Sequence, residues 1–100
     1  SPDEHIALIL DFGRVPFVDV SAARAVETIA QDALLASKHL YVCGLNSRVT
    51  KSLRGLGVYE YLPENTRFES RLAALHAAAE WVTSSTDDNT DSSGSDPVAT

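Results

Sequence analysis

The apolar positions of this chain fall into short runs separated by stretches with a period near 3.6, in the order strand, helix, strand, helix, strand, helix. Residues 6–12 read IALILDF and end in Gly13 and Arg14; an apolar run of this length predicts a strand buried on both faces. Pro16 keeps 15–19 out of a helix interior. From Ser21 the pattern turns helical, with Ala22, Val26, Ile29, Ala30, Ala33 and Leu34 on one side and Arg24, Glu27, Thr28, Gln31 and Asp32 on the other. Asp19 and Ser21 are both residue types that cap a helix start. Arg24, three residues after Ser21, rules out a reciprocal Ser-x-x-Glu box.

The second strand is expected at 39–44 (HLYVCG). Asn46 or Ser47 then caps a helix running to about Leu56, with Val49, Leu53 and Leu56 inward and Gly55 and Gly57 as stop signals. A third strand is expected at 58–62, before Pro63. Asn65 or Thr66 opens the last helix, with Phe68, Leu72, Leu75, Ala79 and Val82 as its apolar stripe. Such alternation with short connections predicts an α/β layer of parallel strands joined by right-handed crossovers. A first strand this hydrophobic calls for neighbours on both sides, because an exposed apolar edge invites aggregation; further strands are therefore expected before residue 1.

Composition refines this picture in three places. With 44% apolar and 22% charged residues the chain fits one globular domain. Residues 83–100 hold four aspartates, many Ser and Thr and no Lys or Arg, too little apolar surface to offset the entropy of ordering, so a disordered acidic tail is expected after a body at 1–82. The net charge of −6 then belongs mostly to the tail. Cys43 is the only cysteine, which excludes an internal disulfide and fits a reducing compartment. No apolar run approaches the roughly 18–20 residues of a membrane span, and the first residues lack signal-peptide character.

Two stretches resemble a known family. ILDFGRVPFVDVSAARAVETIA (9–30) is similar to the strand, loop and helix of STAS domains, and LYVCGLNSRVTKSLRGLGVYEYL (40–62) to that family's next strand, its Asn-x-x-Val-x-x-x-Leu helix and its Leu-Gly break. The V-P-F-V-D turn and the Ala-Ala after Ser21 resemble the branch carried by SulP-type anion transporters. The resemblance implies a STAS-like α/β fold lacking the family's opening strands and helix. It also implies a non-catalytic regulatory or dimerisation domain on the cytoplasmic side of the plasma membrane, with the transmembrane transport domain of the same protein as partner and a homodimer as assembly. The alternative it leaves open is a free-standing anti-sigma-factor antagonist or stress-signalling scaffold that binds a kinase partner.

The candidate contact loop under this resemblance is Asp19, Val20, Ser21 and Arg24. In the antagonist branch the residue after the Asp is a phosphorylated Ser or Thr; here it is Val20, which has no hydroxyl, so that switch cannot operate at this position. The bland reading of Ser21 is a helix cap, and that of Asp19 a carboxylate favoured by the helix dipole. Arg48, Lys51 and Arg54 recur every three residues and form either a solvated face or a stripe for an anion or lipid headgroups. His5, His39, His76 and Cys43 show no metal-ligand spacing, the glycines form no phosphate loop, and no local nucleophile-base motif is present. No enzyme, cofactor or nucleic-acid partner is therefore expected, weak nucleotide binding stays open, and Tyr59 and Trp81 are expected at core edges.

Overall fold

The computed structural model describes residues 5–94, with side chains through Ser84. Strand β1 (Ala7–Asp11) leads to helix α1 (Val20–Leu35), strand β2 (His39–Cys43), helix α2 (Ser47–Gly55), two 3-10 turns (Tyr59–Tyr61 and Glu64–Thr66), strand β3 (Arg67–Phe68) and helix α3 (Arg71–Gly94). The strands form one parallel sheet in the order β1-β2-β3, with Ala7 opposite His39 and Val42 opposite Arg67. Parallel strands and alternating helices are as the sequence predicts. Helical backbone continues beyond Val82, and the side chains of most of the expected 83–100 tail lie outside the described residues.

Both faces of the sheet are covered, because alternate strand residues feed different cores. Leu8, Leu10, Leu40 and Val42 meet α1 and α2 in a cluster with Val26, Ala30, Val49, Leu53, Val58 and Leu62. Ala7, Ile9, Tyr41, Cys43 and Phe68 meet α3 through Ala74, Ala77, Ala78 and Trp81. Leu53 and Val42 are fully buried; truncating a core leucine to alanine typically removes about 2–5 kcal/mol. Among the described residues β1 pairs with β2 alone and stands at the sheet edge.

Four readings of the pattern need correction. Residues 58–62 hold a 3-10 turn (Tyr59–Tyr61) rather than a strand. In a strand Val58, Glu60 and Leu62 would share a face, whereas a helical turn buries Val58 and Leu62 together and leaves Glu60 in solvent. The third strand is instead Arg67–Phe68, and α3 starts after it at Arg71, where the Ser70 hydroxyl accepts a hydrogen bond from the Ala73 N–H (3.1 Å). The inward face of α3 is Ala74, Ala77, Ala78 and Trp81; Leu72 and Leu75 are 77% and 48% exposed. Small residues bring the helix close to the bulky Tyr41. On α1, Ala23 rather than Ala22 is buried, and Leu34 is exposed.

Helices α1 and α2 end in the same hydrogen-bond pattern. Lys38 N–H bonds to the Ala33 carbonyl (2.8 Å) and Ser37 N–H to that of Leu34 (3.2 Å); Val58 N–H bonds to Leu53 (2.9 Å) and Gly57 N–H to Arg54 (3.1 Å). This termination requires a left-handed residue just past the helix. Gly57 takes φ 77 freely, while Ser37 takes φ 57 against the steric preference of a side chain. Gly44, at φ 74, has a second demand: a Cβ there would lie 2.7 Å from the Gly13 backbone nitrogen.

Two stability outcomes follow from these backbone constraints, both readable by urea denaturation. Ser37→Gly raises the unfolding free energy by about 1 kcal/mol, since the left-handed conformation no longer opposes a Cβ. Gly44→Ala lowers it by about 2 kcal/mol or more, because the left-handed cost adds to a clash with backbone that cannot swing aside.

Candidate functional surface at the carboxyl ends of the strands

The three helices all begin after strands, so their N-termini gather at the carboxyl ends of the parallel sheet, the end at which open α/β folds present their ligands. At α1 the cap is Asp19, whose Oδ1 accepts from the Ala22 N–H at 2.8 Å. Ser21 is not the cap: the helix begins at Val20, and Ser21 stands exposed in its first turn. Val20 is 59% exposed and Phe17, in the preceding loop, 56% exposed. Apolar side chains thus project from the loop and from the start of the helix.

Asn46 holds this loop in place. Its Oδ1 caps α2 by accepting from the Val49 N–H (2.8 Å), which makes Asn46 the cap of the two residues, Asn46 and Ser47, that the sequence offers. Its amide also donates to the carbonyls of Val15 (3.0 Å) and Pro16 (3.4 Å), thirty or more residues away. That second role has no local sequence signal. Val18 is buried beneath the loop, so the backbone leading to Asp19 is anchored from below as well as from the side.

Arg24 points away from the loop. Its Nη1 pairs with Glu27 (3.0 Å) and donates to the Leu56 carbonyl (3.3 Å), tying α1 to the end of α2. The basic stripe of α2 is divided among different neighbours. Arg48 lies 5.7 Å from the Phe17 ring centre, Arg54 lies 4.8 Å from that of Tyr59, and Lys51 is exposed between them. Both arginines are therefore steered by aromatic faces instead of carboxylates.

A second group at the same end was not singled out by the sequence pattern. Asp11, Gly13, Arg14 and Arg71 line an open cleft of about 540 Å³, and Asp11 accepts from the Gly13 N–H (2.8 Å). Cys43 is buried nearby; burial, reinforced by the Asp11 carboxylate, pushes its thiol pKa up, which disfavours the nucleophilic thiolate.

The histidines lie elsewhere. His76 is exposed, 3.9 Å from Glu80. His39, at the opposite end of the sheet, stacks on Trp81 with ring centres 3.7 Å apart, while His5 meets the same indole edge-on at 5.3 Å. His39 Nδ1 also lies 3.3 Å from the Tyr41 hydroxyl. Among the described residues no group of three His, Cys, Asp or Glu is placed to hold a metal ion, and no helix is long and apolar enough to cross a membrane.

The geometry defines a parallel α/β domain whose candidate surface is a capped loop and helix start beside a basic helix. The chain belongs to the STAS domain family, which residues 2–74 match. It is 28% identical over 75 residues to the bicarbonate transporter BicA of Synechocystis sp. and 31% identical over 72 residues to BicA of Picosynechococcus sp.. These alignments cover 75% and 72% of this chain but only 13% of each transporter. Among solved structures, a chain from the overall structure of SLC26A9 superposes with a TM-score of 0.68 at 22% identity, over 81% of this chain and 13% of that one, a likeness of fold.

The His39 environment gives a testable titration. Desolvation against Trp81 and Tyr41, with a further contribution from His5, lowers its pKa below the ordinary 6.5. The unfolded chain then takes up the proton first, so this site contributes full stability above about pH 6.5 and loses it as pH falls below that value. NMR should show His39 titrating below 6.5, and His39→Gln should flatten the acid limb of the stability profile measured between pH 7 and 5.

Proposed function

We propose that this domain is the non-catalytic, cytoplasmic regulatory and dimerisation unit of a SulP-type anion transporter, with bicarbonate as the leading candidate for the anion carried. The two transporters it matches are bicarbonate transporters, of whose length this chain spans 13%. The single observation that carries the contact role is the pair of exposed apolar side chains, Phe17 and Val20, at a helix start held rigid by Asp19 and Asn46. Presenting large apolar groups on a fixed backbone lowers the ordering cost of association, which favours a docking surface over a solvated loop.

In this reading Asp19 acts by shaping the loop, Val20 and Ser21 by contact, and Arg24 by bracing α1 against α2. The partner is the transmembrane transport domain of the same polypeptide. The antagonist reading is not favoured: it needs a phosphorylatable residue where Val20 stands, and the curated relatives are transporters.

The test uses the full-length transporter. Phe17→Asp with Val20→Asp should reduce cross-linking between this domain and the transport domain and change the rate of bicarbonate uptake, with surface expression unchanged. Wild-type cross-linking and uptake in that double variant would overturn the contact role. Light scattering of the purified transporter addresses the dimer separately, and a strict monomer would remove that part of the proposal.

A further inference from the structure

One aromatic ring, that of Tyr59, gathers two arginines that lie outside the Phe17–Val20 loop. The guanidinium carbon of Arg54, in the last turn of α2, lies 4.8 Å from the centre of the Tyr59 ring, and that of Arg67, at the start of β3, lies 4.5 Å from it. Arg67 Nη1 also donates to the Tyr59 hydroxyl. Its Nε is buried and meets no acceptor among the described residues. Buried donors are nearly always paired, so the donor capacity of this guanidinium is not used up within the described residues.

Charge points the same way. The ion pairs among the described residues are Arg24 with Glu27 and His76 with Glu80, so neither Arg54 nor Arg67 is neutralised. Glu60, in the same turn as Tyr59, is exposed and takes no part in an ion pair among the described residues. Lys51, one turn before Arg54 on α2, adds a further exposed cation. The ring faces attract both guanidiniums but cancel none of their charge, so Tyr59 arrays two forks and leaves their positive potential available.

We propose that Arg54 and Arg67, arrayed on Tyr59, bind a phosphate group, either free phosphate or the phosphorylated headgroup of a lipid. Two cations match a dianion with three acceptor oxygens better than a carboxylate, whose single charge one guanidinium fork already satisfies. The site is independent of the Phe17–Val20 contact surface and stands or falls without it.

The experiment is a titration of the full chain with inorganic phosphate at constant ionic strength, following the arginine Nε–H and Tyr59 ring signals by NMR. Sedimentation with phosphatidylcholine vesicles, with and without phosphatidylinositol 4-phosphate, forms the second arm. Saturable shifts at Arg67 and Tyr59 are expected, weakened about tenfold or more in Arg54→Gln, with Arg54→Lys recovering only part because it keeps charge without the fork. Arg54 is exposed, so its variants should keep the wild-type Trp81 fluorescence, which separates lost binding from lost folding. Binding in the phosphate arm alone assigns a soluble ligand, and binding in the vesicle arm, with or without free phosphate, assigns the lipid source. No saturable response in either arm, equal shifts with chloride, or undiminished binding in Arg54→Gln would overturn the site.

Discussion

Strand β2 leaves the sheet through Gly44, and the close crossing of that residue over the Gly13 backbone is the constraint on which the candidate surface depends. Because the two segments touch there, the Phe12 N–H reaches the Cys43 carbonyl at 2.8 Å and extends the β1–β2 ladder into the loop. Two residues beyond Gly44, Asn46 arrives where one side of its amide caps α2 and the other holds Val15 and Pro16. The backbone before Asp19 is thus fixed from two directions before α1 begins. An apolar pair on a loop without these anchors would lose much of its contact energy to ordering.

The parts of the fold legible in the sequence are those where local signals agree. In β1, β2 and α2, apolar pattern, capping residue and stop signal all point one way, and Asn46 and Gly57 occupy the positions their chemistry predicts. The segment 58–62 misleads because a five-residue run with apolar ends fits a strand by composition and a helical turn by spacing, and only burial of Val58 and Leu62 on one side separates the two. The stripe of α3 misleads differently. Periodicity weights leucine over alanine, yet the sheet face beneath that helix already carries Tyr41, and close approach selects Ala74, Ala77 and Ala78. At the candidate surface, Asp19 was legible as a cap because its bond spans three residues. The bracing by Arg24 and the loop-holding by Asn46 span about thirty, and no window of local sequence contains them.

The chain is acidic overall, yet most basic groups of α2 and β3 rest against aromatic rings. Exposed ion pairs contribute little, about 0–1 kcal/mol, and are screened by salt. A guanidinium placed over a ring gains comparable attraction while its charge remains available to a third party. The arrangement therefore stabilises the positions of Arg48, Arg54 and Arg67 without consuming their electrostatic reach. A carboxylate at any of these places would have given a similar local gain and a neutral surface.

The edge position of β1 bears on assembly in the same physical terms. Its residues are mainly apolar and point alternately into both cores, but they are only half-buried, and its outer hydrogen-bonding edge has no strand beside it among the described residues. A strand of this composition lowers its free energy by pairing, whether with another segment of its own polypeptide or with a second copy. Leu34, Leu35 and Leu72 add exposed apolar surface on the helices. A body this small buries only about 60–65% of its unfolded surface, so contacts made at that edge would form a large fraction of its total stability. Association at the β1 edge would then couple directly to folding of the loop beyond it, because the ladder that ends at Phe12 and Cys43 is the one that sets the course of the chain toward Phe17 and Val20.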